Sequence, residues 1–349
     1  MTDAETVRDR LTDADFPRWY RARQERQNAR RGKFAWNSPT DPPDPPVHRP
    51  HTLLTCHRKQ RYREENAPAE TALPAGRFWV GSRIEEDLVL EYLTDVAPED
   101  LLVGNSLWVD APVSAGETDL RIRGATDPVF ATPEGTPVLP TEVKTTSSLE
   151  HVDGPDERHR AQLHAYLAGL SATRDVDLEE GVLVYVSRET LDVRVVPVPF
   201  DESFWRDRVV PWMTALSGYR ESAALPPASP EQDWECDTCE FRARCGRTDD
   251  PVSDLGTSGF VPGVVYPRHR VETALAADED LDLTPTLAAT YPDLAAGHSV
   301  ADWRCEACGA THAPDRVDAD DGPPTCERCA SAGRFARLRG PVPDSPPVR

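Results

Sequence analysis

The segment 120–144 constrains the fold more than any other stretch of the chain. It opens with Leu120-Arg-Ile-Arg-Gly-Ala-Thr-Asp127-Pro-Val-Phe130, an alternating run. Pro133-Glu-Gly-Thr136 follows, and then Pro137-Val-Leu-Pro-Thr-Glu142-Val-Lys144. Alternation on either side of a glycine-bearing turn predicts two strands joined as a hairpin. Such a hairpin sets Asp127 beside Glu142. Side chains two apart share one face of a strand, so Glu142 and Lys144 point the same way. Two carboxylates and an ammonium on one surface can hold Mg²⁺ or Mn²⁺ and steady a phosphate. Lysine is scarce: Lys33, Lys59 and Lys144 stand against 36 arginines, the 39 basic residues less three. Keeping lysine at 144 points to a use for its compact ammonium. Taken alone, however, E-x-K is also the ordinary pattern of a solvated strand face.

The surroundings narrow the choice. Gly124-x-x-Asp127 precedes the triplet, and residues 158–170 predict a helix on which Gln162 and Tyr166, four apart, share a face. His164 between them points elsewhere and is not assigned as a ligand. Residues 76–97 predict an earlier helix, with Ile84, Leu88 and Tyr92 as its apolar stripe and Glu85 at the border. Strands are expected over 101–113 and 119–123, a further hairpin over 181–198, and a long helix over 200–217. Strands and helices in this order predict an α/β core with a mixed sheet.

An acid on an early helix, then G-x-x-D, E-x-K and Q-x-x-x-Y, resembles the PD-(D/E)xK nuclease superfamily in its RecB-like branch, over residues 51–250. The resemblance implies a restriction-endonuclease-like core, a central mixed sheet flanked by helices. It implies a deoxyribonuclease with Asp127, Glu142, Lys144, Gln162 and Tyr166 as catalytic residues. Mg²⁺ or Mn²⁺ would be held by Glu85, Asp127, Glu142 and the Val143 carbonyl. Many relatives carry histidine where this chain has Glu85. The implied activity is exonucleolytic, on single-stranded or splayed DNA ends, in repair, recombination or CRISPR-type defence. The alternative is a catalytically inactive DNA-binding or adaptor protein, against which the intact Asp127, Glu142 and Lys144 argue.

The eight cysteines fall into two sets. Cys305-x2-Cys308-x17-Cys326-x2-Cys329 has the spacing of a zinc ribbon, two knuckles on one Zn²⁺. Cys236-x2-Cys239-x5-Cys245 is one thiolate short of a four-cysteine site, and Cys56 can supply it. Spacing leaves zinc and iron–sulfur open for this set. One cysteine before the core and three after it resembles the iron–sulfur RecB-like nucleases, among them a CRISPR-associated exonuclease family and AddB-type nuclease domains. That resemblance implies a [4Fe–4S] cluster.

A formal charge of −21 would ordinarily exclude a nucleic-acid partner. Acid-rich, lysine-poor, arginine-retaining composition is instead that of proteins in a molar-salt cytoplasm, as in halophilic archaea. There the Debye length is ~3 Å and bulk charge repels DNA little. Arg18, Arg21 and Arg23, interleaved with Trp19 and Tyr20, predict a DNA grip together with Arg58 and Lys59; a charged helix folded on the core is the other reading. The expected division is a basic arm and proline-rich linker (1–50), the nuclease domain (51–250), an acidic linker (251–300), the zinc ribbon (301–335) and a proline-rich tail (336–349). No apolar run nears the ~20 residues of a membrane span, and the N-terminus lacks a signal-peptide pattern. These features predict a cytoplasmic protein, whose ribbon offers a surface for protein partners.

Overall fold

The structure, a computed structural model, describes residues 16, 19, 20, 23, 43–64, 75–115, 118–222, 224–242, 245, 247, 268–277, 281–305, 307–318 and 324–340. They divide into two compact units, a larger one of 43–61 with 72–240, and a second of 1–42, 62–71 and 241–349.

The larger unit is built on a five-stranded sheet ordered β2 (Leu102–Gly104), β5 (Val129–Ala131), β6 (Pro137–Thr146), β7 (Glu180–Ser187), β8 (Val193–Pro199). The middle strand β6 runs antiparallel to β5 and parallel to β7, which makes the sheet mixed. The expected hairpin is β5–β6. Its turn closes with the Thr132 N–H donating to the Thr136 carbonyl at 2.8 Å, and Gly135 takes φ +85°, a conformation that favours glycine. The alternating run 120–130 is not one strand. Its first part is β4 (Thr118–Ala125), in a separate sheet of order β1 (Val47–His48), β4, β3 (Trp108–Ala115). Pro128 explains the break: it has no N–H to donate and restricts the residue before it. Asp127 therefore lies in the loop that hands the chain from one sheet to the other.

The end of the proline-rich linker is more than a tether. Val47–His48 pairs in parallel with β4, and His48 Nε2 meets Ser217 Oγ at 3.0 Å.

Helices cover both faces of the five-stranded sheet. After α1 (His57–Glu64), one face is covered by α2, which runs as Ala75–Ile84, a π turn Glu85–Val89, and Leu90–Asp95. The π turn corrects the expected stripe: Leu88 and Tyr92 are exposed, and the buried residues are Ile84, Val89 and Leu93. One turn of five residues shifts the register, so the apolar face steps by five and then four. Val89 and Leu93 thereby reach Phe130, Val143, Val184 and Val186. Burying such side chains contributes roughly 1.5–3 kcal/mol each, enough to offset an irregular turn.

On the other face lies α3 (Glu157–Arg174), capped by the Asp156 carboxylate accepting the Arg158 and His159 amides. Its Ala161, Leu163, Leu167 and Leu170 pack with Val109 and Ile122 of the small sheet, Leu183 of β7, and Trp212 and Leu216. The last two belong to α4, which runs Glu202–Phe204, a second π turn Trp205–Val209, and Val210–Glu221.

The second unit includes the stretch expected as an acidic linker, 251–300. Helices α5 (Arg268–Ala277), α6 (Pro285–Thr290) and α7 (Pro292–Ala295) lie in this stretch, where Val271, Leu275, Leu281, Leu283 and Leu287 form a core. The cysteine module is a three-stranded antiparallel sheet of order β10 (Thr311–His312), β9 (Trp303–Cys305), β11 (Leu338–Arg339). It extends past the expected boundary at 335, because β11 closes it. Among the described residues no helix is long and apolar enough to cross a membrane.

Candidate active site

Strand alternation divides β6 between two environments. Val143 turns into the core beneath α2, while Lys144 turns toward α3, where its Nζ donates to Gln162 Oε1 at 3.0 Å. Glu142, on the same face, lies 2.5 Å from that Nζ through Oε1 and is 1 % exposed. Its other oxygen, Oε2, is buried with no partner among the described residues. A buried carboxylate oxygen left unpaired is costly, so this one is an acceptor kept for something the protein does not supply.

Asp127 reaches the same place from the loop. Pairing with β5 stops at Pro140, and the Asp127 carboxylate takes up the backbone of β6 beyond it: the Val143 N–H donates to Oδ2 at 2.8 Å. The loop is held on both sides. Thr141 Oγ1 donates to the Pro128 carbonyl at 2.6 Å, and the Leu107 N–H donates to Thr126 Oγ1 at 2.9 Å.

Tyr166, 3 % exposed, donates its hydroxyl to the Ala125 carbonyl at 2.7 Å. It braces the approach to Asp127. Gly124 has its reason here too, since a Cβ would stand 2.9 Å from Pro50 Cδ.

Glu85 joins through charge. Burial, then the carboxylates of Asp127 and Glu86, push its pKa up to about 7. Arg83, the basic neighbour on its helix, is engaged by Glu86 and Asp87. Burial and Asp127 likewise hold Glu142 well above the usual carboxylate range, despite Lys144. Burial pulls the Lys144 ammonium down, but Glu142 and Asp127 outweigh it and its pKa is raised. Lys144 thus stays charged amid three carboxylates. Crowded acids whose raised pKa values favour a neutralising partner, around a buried, unpaired oxygen, fit a divalent cation, and Mg²⁺, which keeps several waters, needs only one or two carboxylates.

The sequence of residues 42–246 matches the PD-(D/E)XK nuclease superfamily, more than half of the chain. The chain belongs to the PD-(D/E)XK nuclease superfamily. Nucleases of this superfamily work with divalent metals, and the mixed sheet with helices on both faces is consistent with its restriction-endonuclease-like fold. Among solved structures, the crystal structure of SSO0001 is similar at 20% identity and a TM-score of 0.39, covering 60% of this chain and 88% of that one. No curated protein matches the chain.

The cysteine sets differ in what surrounds them. Among the described residues, Cys305, Cys308, Cys326 and Cys329 are the one group of three or more potential ligands lying within 4.8 Å of one another. Cys305 and Cys329 sulfurs are 3.8 Å apart, and Cys308 and Cys326 sulfurs 3.7 Å. A tetrahedron of thiolates about 2.3 Å from one ion has edges of about 3.8 Å. His312 Nε2 stands 3.5 Å from Cys326 Sγ. Sequence reasoning missed this histidine, because only the β9–β10 pairing brings it over the knuckle. In the larger unit, the Cys56 N–H donates to Glu235 Oε1 at 3.4 Å, which sets Cys56 beside the residue preceding Cys236. The Cys239 N–H donates to the Cys236 carbonyl at 3.3 Å, while Cys245 belongs to the second unit. None of the eight cysteines is in a disulfide.

Two of the expected DNA-contacting residues are committed internally. Arg58 Nε donates to the Pro226 carbonyl at 2.6 Å, and Lys59 pairs with Glu240 at 3.4 Å. Arg23 is exposed, its guanidinium 5.7 Å from the Trp19 ring centre. Arg18 and Arg21 lie outside the described residues.

Proposed function

We propose that this protein is a Mg²⁺- or Mn²⁺-dependent deoxyribonuclease of the RecB-like branch. Its substrate would be a single-stranded or splayed DNA end, cut exonucleolytically in repair, recombination or CRISPR-type defence. One observation carries the reading: Lys144 is fixed between Glu142 and Gln162 while the second oxygen of Glu142 is buried and unpartnered. Glu142 and Asp127 would hold the metal, with Glu85 and the Val143 carbonyl completing the set. Bound there, the metal would lower the pKa of water and offset charge on the phosphate. Lys144 presents its ammonium where negative charge develops on the phosphoryl oxygens, and Gln162 keeps it from collapsing wholly onto Glu142. Tyr166 holds the Asp127 loop in place through Ala125.

The remaining assignments rest on sequence order and chemistry. Cys56, Cys236, Cys239 and Cys245 are proposed to carry a [4Fe–4S] cluster. Cys305, Cys308, Cys326 and Cys329 are proposed to bind Zn²⁺, a reading supported by the tetrahedral edge lengths. Arg18, Arg21 and Arg23 are proposed to grip DNA backbone, and the ribbon to dock protein partners.

End-labelled single-stranded and duplex DNA, incubated with Mn²⁺ or Mg²⁺ and protein purified without oxygen, tests the function. Metal-dependent cutting lost in both Glu142→Gln and Lys144→Ala is the expected result. Folded, metal-loaded protein that leaves both DNAs intact would overturn it.

A further inference from the structure

The face of α3 that carries Gln162 and Tyr166 does not end at Gln162. His159 stands three residues earlier and seven before Tyr166, so it continues the same stripe toward the helix N-terminus. Beside it is Tyr185, which pairs in register with Lys144 across the parallel β6–β7 ladder. The Tyr185 hydroxyl lies 3.1 Å from His159 Nδ1 and accepts the Asp156 N–H at 3.1 Å.

These two contacts favour one tautomer. With the Asp156 amide donating to the phenol oxygen, the Tyr185 hydroxyl is placed to donate to His159 Nδ1, the arrangement in which Nε2 carries the N–H. Burial, and then the neighbouring Lys144 charge, hold the His159 pKa down to about 4, so the ring is neutral. Nε2 has no protein partner among the described residues and is not one of the fully buried unpaired atoms. His164, one turn on, makes the contrast: its Nε2 accepts the Asp201 N–H and its Nδ1 faces the Arg160 carbonyl, so both nitrogens are used.

We propose that His159 is a further substrate-contacting residue, its Nε2–H donating to a phosphate oxygen of the DNA strand beside Lys144, with Tyr185 as the positioning residue that sets the tautomer. This rests on the nuclease reading for the identity of the anion. A neutral donor suits the place, since a second full charge next to Lys144 would be repelled by it. The glutamine amide nitrogen can take the position of Nε2, and the asparagine amide cannot reach it. His159→Gln should therefore keep the contact while His159→Asn and His159→Ala lose it.

The test is DNA affinity, measured in Ca²⁺ with the full chain, for a single-stranded oligonucleotide and for the same oligonucleotide with neutral methylphosphonates placed singly along it. A hydrogen bond to a charged oxygen is strong enough that His159→Ala should bind about tenfold more weakly. At one linkage the methylphosphonate should weaken wild type and His159→Gln by a similar factor and leave His159→Ala unaffected. Tyr185→Phe should fall in between. Additive losses at every linkage, or equal weakening by His159→Gln and His159→Ala, would overturn the proposal. Because the readout is binding, a protein that binds with this pattern but does not cut would remove the nuclease reading and leave His159 standing. Protein that binds no DNA removes both.

Discussion

The acidic site on β6 and the four-cysteine module are both candidate metal sites, and they are built in opposite ways. The cysteines sit on short knuckles whose sulfurs already stand at tetrahedral separations. Asp127 and Glu142 come instead from a loop and a strand, the first oriented by the Val143 amide, the second buried with one oxygen unpaired. In the module a bound metal would supply stability that a small core of Trp303, Ala336 and Leu338 provides little of. In the acidic site the large core provides stability, and like charges are held together at its expense. On the proposed reading the module would need an ion to fold, whereas the acidic site would rest on the core around it.

Breaking either site should therefore give different failures. The largest effect is expected for Cys326→Ser or for chelation of the full chain. Hydrogen exchange across 303–339 should lose its protection completely, while the sheet around β6 keeps its own. Next is Glu142→Gln, which should lower cleavage by about 10³-fold, the scale for removing a group that acts on transition-state charge. Thermal unfolding should change little for the same variant, because loss of the Lys144 pair offsets the relief of removing a desolvated acid. A Tm drop of many degrees would erase the contrast between the two sites.

Gly124→Ala tests how far the acidic site depends on long-range packing. Its Cβ would meet the Pro50 ring, and overpacking of this kind costs about 1–3 kcal/mol, read as a lowered denaturation midpoint. The smallest effect is that of pH. The Glu85 pKa is raised from 4.5 to about 7, so the folded state holds a proton that the unfolded state releases. In metal-free protein this contribution to stability is full below about 4.5 and is lost as pH rises through about 7. Glu85→Gln should flatten that slope in denaturant titrations. Mg²⁺ affinity should move the other way, strengthening through the same window as the competing proton leaves.

Much of the site was legible because its motifs are local. The hairpin around Gly135, the E-x-K alternation and the shared face of Gln162 and Tyr166 each follow from a period of two or of 3.6. What was illegible involved partners distant in sequence. Nothing local to Tyr166 tells that its hydroxyl reaches the Ala125 carbonyl. Nor does local sequence tell that Arg58 meets Pro226 and Lys59 meets Glu240. The α2 stripe was misread because a π turn leaves no mark in a 3.6-residue pattern; only the positions of Phe130 and Val184 make Val89 rather than Leu88 the buried residue.

The sequence by itself determined the reactive groups, their order, and the two cysteine knuckles of the module, since these depend on neighbours within a turn or a few residues. The tertiary structure alone decided that Pro128 passes the chain between sheets and leaves Asp127 in the loop. It alone decided that Lys144 is shared with Gln162 and that the Tyr185 hydroxyl stands against His159 Nδ1. Burial and charge at those places are set by chain segments far apart in sequence, and no local pattern encodes where such segments meet.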